Sequence, residues 1–322
     1  MQTASSTRQQ GKILNIVIPA QAAGLRLELY LRRELQFTRA QIKSIKFRKN
    51  GLLLNGERVR VTEVLHGGEN LEILLEEQAQ SSAQLEVLEQ PIEILYEDAD
   101  LVAVWKEAGM PLHPAHGHYS DTLTNAVHGY FSKKGQSVTI RSIGRLDKDT
   151  SGIVIFVKNQ VAAARLWRQK EQGIFQKEYL AVCEGKIEGI SEEWQEISAP
   201  IANVPDEKNK MCVSPDGKHA VTHYCVIGEV IKNDIICSII RVRIETGRTH
   251  QIRVHMASIG HPLAGDPIYG TGHTGTAGAN LCAWKTWLEQ PFSGERIEVE
   301  KSGSIFSETD EFSCIFYTEQ LQ

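Results

Sequence analysis

Two carboxylates, two cations and two hydroxyls crowd into GRLDKDTSG, residues 144–152, directly before the apolar run IVIFV at 153–157. The run reads as a core strand, so the charged residues occupy the loop entering it, where a rigid sheet can hold a side chain in place. An aspartate there, with an ordinary pKa of about 3.9, is ionised at neutral pH and available as a nucleophile or base. By themselves these residues leave Asp147 and Asp149 as equal candidates. A turn whose carboxylates only cap backbone N–H groups is the bland alternative. A second charged stretch, TGRTHQIRVHMASIGHPLAGDPIYG, spans 246–270. Thr249 reads as a helix N-cap, Ile252, Met256 and Ile259 share one face, and Gly260 and Pro262 end the helix. His250 and Arg253 share another face, with Arg248 nearby. An arginine so placed can keep a buried catalytic carboxylate charged through a bidentate pair, whereas a solvated surface helix would need no such partner. His113, His116 and His118 in HPAHGH, and His250 and His255 in HQIRVH, lack the spacing of zinc ligands, so no metal site is expected.

The elements that must position these residues follow from the apolar pattern. Residues 1–12 are polar and are read as a disordered start. ILNIVIP (13–19) reads as a strand, RLELYLRREL (26–35) as a helix, and TRAQIKSI (38–45) as a second helix with Thr38 at its N-cap. LLLNGERV (52–59) reads as a strand turning through Asn55-Gly56. These form a compact module over 13–77, followed by a polar linker at 78–90. Strand-like runs at 92–96, 101–105, 153–157, 179–183, 222–228 and 235–244 outnumber the helices between them. The expected body, 91–305, is therefore an α+β domain around a mixed, mainly antiparallel β-sheet, with 306–322 as an extension.

Charge is unevenly spread. Residues 26–60 carry ten Arg or Lys against three Glu, a net +7, which against the whole-chain −5 leaves −12 for the remainder. A basic module on an acidic body is the footprint of a nucleic-acid grip, and Arg32, Arg33, Arg39, Lys43 and Lys46 are its candidate contacts. The six cysteines, at 183, 212, 225, 237, 282 and 314, show no CxxC pair and read as reduced thiols. No apolar run approaches a membrane span. A cytoplasmic monomer without membrane contact is expected.

RLELYLRRELQFTRAQIKS and GLLLNGERVR resemble the S4 RNA-binding domain, although Glu28 and Leu29 stand where Asp-Lys is usual. YEDADLVAVWKEAGMPLHP, TLTNAV, GRLDKDTSGIVIFVKN, KEYLAVCEG, KMCVSPDGKHAVTHY and TGRTHQIRVHMASIGHPLAGDPIYG occur in an order and spacing similar to the RluA-type pseudouridine synthases, over about 91–300. The resemblance implies isomerisation of uridine in structured RNA, large-subunit ribosomal RNA first and transfer RNA second, without metal or organic cofactor. It assigns Asp147 as nucleophile and Arg145 as the residue holding the flipped nucleotide's place. Tyr179 becomes the aromatic residue on the target base and a candidate for proton removal at C5, and Arg253 the partner of the catalytic aspartate. Arg145, Arg248 and Arg253 would make a local basic cleft. A glycal route and an adduct at C6 stay open, as does a catalytically silent RNA-binding or ribosome-assembly factor of the same fold. Departures from the usual pattern are Gly144 for a histidine, Trp105-Lys106-Glu107-Ala108-Gly109 for NKPAG, and Leu281-Cys282-Ala283 for LHA.

Overall fold

The computed structural model describes residues 13–35, 37–75, 85–115, 117–136, 138–188, 193–207, 209–232, 235–272 and 278–301. The expected polar start at 1–12, residues 78–84 of the linker, the extension at 306–322 and His116 lie outside them.

The N-terminal module comprises β1 (Ile13–Val17), α1 (Leu27–Arg33), α2 (Arg39–Lys46), β2 (Leu52–Leu54), β3 (Glu57–Arg58) and β4 (Asn70–Leu74). Its strands pair antiparallel in the order β1-β4-β2-β3. Thr38 caps α2 as expected: its hydroxyl accepts from the Gln41 N–H at 3.2 Å, and the Gln41 side chain accepts from the Thr38 N–H at 2.7 Å. Asn55 and Gly56 both have positive φ, which suits the tight turn between β2 and β3. Leu27, Tyr30, Leu31, Ile42, Ile45, Leu71 and Ile73 bury the inner faces. Arg32, Arg33, Arg39, Lys43 and Lys46 are left exposed on the outside.

The body begins with β5 (Ile94–Glu97), β6 (Leu101–Lys106), α3 (Leu123–Lys133), β7 (Arg141–Ser142), β8 (Ser151–Val157), α4 (Gln160–Glu171) and β9 (Gln176–Glu184). It continues through β10 (Gln195–Ser198), β11 (Ile201–Asn203), β12 (Met211–Val213), β13 (Val221–Lys232), β14 (Ile235–Ile244), α5 (Gln251–Ser258), β15 (Leu281–Glu289) and β16 (Arg296–Glu300). The main sheet runs β10-β13-β14-β9-β15-β8-β6-β5, with β16 added to β15 and β7 to β8. All its described ladders are antiparallel except β15 with β8. The mixed α+β sheet expected from the sequence is therefore present.

Ile153, Ile155 and Val157 of β8 join Ala162 and Leu166 of α4 in one apolar cluster. Val154 and Phe156 face the other way, into a cluster shared with Leu123, Val127 and Phe131 of α3 and Ile252 and Met256 of α5. Burial on both faces explains why β8 reads as an unbroken apolar run rather than an alternating one. The N-terminal module leans on α4. Arg165 donates to the Leu35 carbonyl at 2.8 Å and the Pro291 carbonyl at 2.7 Å, and Gln41 donates to the Gln160 carbonyl at 2.9 Å.

One expected cap differs. His250, not Thr249, precedes α5, in a left-handed conformation with φ 54° and no side-chain cap of its own. Gln251, the first residue of the helix, ties it back to the preceding loop instead, its Oε1 accepting from the Arg248 N–H at 3.1 Å and the Thr246 hydroxyl at 2.7 Å. No described helix is long and apolar enough to cross a membrane.

The parallel contact is a steric pinch point. Gly152 lies opposite Ala283 with φ 128°, and a Cβ there would sit 2.5 Å from the Ala283 backbone N and O. Gly152→Ala is expected to cost about 3 kcal/mol or more, because overpacking against backbone has no cheap relief. A drop in the urea midpoint at unchanged m-value checks this.

Candidate active site

The loop between β7 and β8 is held from below by a buried cation. Lys106, at the end of β6, has no solvent exposure, and its Nζ donates to the carbonyls of Lys148 at 2.8 Å, Glu107 at 2.9 Å and Met110 at 2.9 Å. Burial pushes its pKa down to about 8, against the pull of Asp149, Asp147 and Glu107. The Lys148 carbonyl also accepts from the Gly109 N–H at 2.9 Å, and the Thr150 N–H returns to the Asp147 carbonyl at 3.2 Å. The stretch from Asp147 to Thr150, at the β8 end of the loop, is thereby fixed. The Asp147 carboxylate is 21% exposed and lies 3.5 Å from Nη2 of Arg145, which itself stands in solvent.

A cleft of about 1100 Å³ opens over this loop. Asp147 lines it, whereas Asp149 is not among its lining residues. Tyr179 of β9 is buried at the cleft wall. Burial, reinforced by the charge of Asp147, pushes its phenol far above the ordinary value. Tyr179 therefore keeps its proton at neutral pH and offers the cleft a ring and a hydroxyl rather than a phenolate.

Arg253 corrects an expectation. Its bidentate partner is Asp266, not Asp147: Nε reaches Oδ2 and Nη2 reaches Oδ1, both at 2.6 Å, with both side chains almost wholly buried. The turn after α5 brings Asp266 under the helix, and the N–H groups of Ile268 and Tyr269 donate to its Oδ1 at 2.9 and 3.1 Å. Burial works against the Arg253 charge, but Asp266 and then Asp147 outweigh it and raise the pKa. The guanidinium thus acts on Asp147 through its field while its hydrogen bonds serve Asp266. Tyr269 completes this layer, its ring 5.3 Å from the guanidinium carbon and its hydroxyl 3.0 Å from Nδ1 of His250.

The cleft wall carries Arg145, Lys170, Lys177, Arg243 and Arg248 against Asp147, Glu171 and Glu245. A net positive groove in a chain of net −5 concentrates polyanions locally. Lys177, whose Nζ donates to the Ile153 carbonyl at 2.7 Å, is pushed down to about 7 by burial and by neighbouring Lys170. Arg248 reaches the His219 carbonyl at 2.9 Å and stays exposed. The basic residues of α1 and α2 do not line the cleft. Among the described residues no group of three His, Cys, Asp or Glu is placed to hold a metal ion. His113 is engaged by Thr124 and Ser142, and His255 by Thr222 and the Ala199 carbonyl.

A family model described as RNA pseudouridylate synthase matches residues 100–258. The ribosomal large subunit pseudouridine synthase D of Nitrosomonas europaea is 33% identical over 307 residues, covering 91% of this chain and 85% of the relative. The uncharacterized RNA pseudouridine synthase YhcT of Bacillus subtilis is 33% identical over 292 residues, covering 91% of this chain and 94% of its own. The chain belongs to the RluA-type RNA pseudouridine synthases. Among solved structures, human RNA pseudouridylate synthase domain containing 1 superposes with a TM-score of 0.58 at 25% identity, covering 72% of the synthase described here and 93% of the human chain.

Within this synthase, sequence reasoning placed Arg145, Asp147, Tyr179 and Arg248 in what proves to be one cleft, and Arg253 just behind it. It missed Asp266, although GDPIYG closes the charged stretch 246–270, and it missed the three-carbonyl clamp of Lys106. The signal for the second was a lysine at the end of an otherwise wholly apolar run, LVAVWK. Asp266→Asn leaves a buried guanidinium without its counter-charge and is expected to cost about 3–5 kcal/mol. Equal unfolding midpoints for the variant and the parent synthase would show that the pair carries no such burden.

Proposed function

We propose that this synthase isomerises a uridine of large-subunit ribosomal RNA, with Asp147 as nucleophile. The observation that carries the reading is the placement of Asp147, beside Arg145, in the same basic cleft as the Tyr179 ring. In the reaction the N1–C1′ bond breaks, the base turns, C5 bonds to C1′, the C5 proton leaves and N1 gains a proton. No electrons enter or leave, so no redox partner is needed. The carboxylate acts on the ribose in a glycal route or on C6 in an adduct route, and both require it ionised and close to an extruded nucleotide. Tyr179 packs on the base, and its retained proton makes it a poor resting base for C5. Arg145, mostly in solvent, is suited to the gap that the extruded uridine leaves. The ribosomal target is supported by the names of relatives at 33–34% identity from Nitrosomonas europaea and Xanthomonas campestris, each a ribosomal large subunit synthase.

The module over 13–77 is proposed as an S4-like RNA grip, supported by its two helices, small antiparallel sheet and exposed basic face. Phe47, 71% exposed beside Lys46, adds an aromatic surface that the charge count did not anticipate. The chain is read as acting as a cytoplasmic monomer, in keeping with buried thiols at Cys183, Cys225 and Cys282.

Release of tritium from RNA labelled at uridine C5 tests the chemistry. Asp147→Asn is expected to lower the rate more than about 1,000-fold while RNA binding holds, whereas Asp149→Asn retains turnover. The opposite ranking would transfer the nucleophile to Asp149. For the module, joint replacement of Arg39, Lys43 and Lys46 by Gln is expected to reduce the slope of log K against log salt by about 2. Titrations at four salt concentrations check it.

A further inference from the structure

Tyr179 and Glu178 are consecutive on β9 and therefore face opposite sides of the sheet. Tyr179 belongs to the apolar cluster beneath α3 and α5. Glu178, only 1% exposed, belongs to the other side and gathers two arginines of β14. Arg241 donates to it through Nε at 2.9 Å and Nη2 at 3.2 Å, and Arg243 through Nε at 2.8 Å, with Nη2 of Arg243 2.7 Å from the same carboxylate. A buried carboxylate thus locks two guanidinium planes side by side.

Tryptophans pack against those planes. The guanidinium carbon of Arg243 lies 4.5 Å from the ring centroid of Trp194 and 5.3 Å from that of Trp287, and Arg241 lies 5.8 Å from Trp194. Trp287 is tied further by its indole N–H, which donates to Gln176 at 3.1 Å. Trp194 is the outer member of this stack, just ahead of the edge strand β10, and it remains 36% exposed. It also lines the cleft that contains Asp147. An indole this exposed, backed by an immobilised cation, is a rigid apolar plane in a positively charged groove.

We propose that Trp194 is a stacking platform for an unpaired nucleotide next to the target uridine. This rests on the reading of the cleft as the RNA-modifying site. Sequence-specific RNA recognition targets splayed single-stranded bases, which stack on aromatic side chains, and a guanidinium against an aromatic face adds a cation–π contribution. The target base cannot occupy both Tyr179 and Trp194, because the two lie on opposite faces of the sheet. The cleft passes between them over the end of β14, along Glu245, Thr246, Gly247 and Arg248. A strand of RNA following that rim would place one nucleotide at Asp147 and a neighbour on Trp194. Arg243, set against the plane, cannot be exchanged for lysine without losing its flat contact.

The test uses the full-length protein and single-stranded decauridylate. Binding is followed by tryptophan emission and, separately, by anisotropy of an end-labelled probe, alongside tritium release from C5-labelled ribosomal RNA. Wild type is expected to show quenching on saturation. Because Trp167 also lines the cleft and is 45% exposed, the emission arm is run in a Trp167→Phe background, where Trp194→Phe should lose most of the quenching while keeping affinity within about threefold, since a phenyl ring still stacks. Trp194→Ala should weaken binding about tenfold or more with an unchanged salt slope, because no phosphate contact is removed. Quenching that persists in Trp194→Phe, affinity that survives in Trp194→Ala, or a reduced salt slope would overturn the platform while leaving the synthase reading intact. A wild type that neither binds RNA nor releases tritium would overturn both.

Discussion

A lysine ammonium cut off from solvent is the constraint on which the loop carrying Asp147 depends. Taking such an ion out of water costs several kcal/mol, and Lys106 is tolerable only because each of its three N–H bonds meets a carbonyl. Two of those carbonyls, from Glu107 and Met110, belong to the turn that follows its own strand, and the third, from Lys148, belongs to the loop carrying Asp147. Displacing the loop would strand a buried charge, so the position of Asp147 is coupled to the stability of the whole sheet. The requirement also explains why the stretch after Lys106 tolerates Glu107 and Ala108: the clamp uses backbone oxygens, which any residue supplies.

Around that fixed loop the charges are graded by depth. Arg145 stands mostly in solvent 3.5 Å from the carboxylate, a separation and exposure at which an ion pair contributes about 0–1 kcal/mol. It is too weakly held to be a structural partner and free to leave when RNA arrives. Arg253 is the reverse, nearly excluded from water and immobilised by Asp266. Because Asp266 compensates its charge, the arginine can stay buried whether or not Asp147 is occupied by substrate. An Arg253 paired only with Asp147 would lose its counter-charge whenever the aspartate became covalently engaged.

Local signals were the legible ones. The Thr38 capping box, the Asn55-Gly56 turn and the β8 core run are each set by residues within a few positions of one another, and each appears where its pattern points. The N-terminus of α5 was misread by one residue because the chain enters the helix through a left-handed His250, a conformation that the hydroxyl pattern at Thr249 does not signal. Asp266 was illegible as the partner of Arg253 because the contact is created by the chain reversal after the helix. Lys106 and Lys148 are 42 residues apart, and only the β6–β8 pairing brings them together.

Strand alternation at Glu178-Tyr179 organises the site more than any single motif. One side chain turns towards the loop and sets a protonated phenol within the field of Asp147. Its neighbour turns away and fixes Arg241 and Arg243, which in turn seat Trp194 and Trp287. A slip of one residue in the β9–β14 register would exchange the two faces, burying the ring among arginines and aiming the glutamate at Asp147. Two like charges would then face each other across the cleft, and Arg241 and Arg243 would lose the carboxylate that holds them. The apolar residues that follow on the same strand, Leu180 and Val182 to one cluster and Ala181 and Cys183 to the other, hold the register. Core packing therefore decides which of the two side chains, the ring or the carboxylate, faces Asp147.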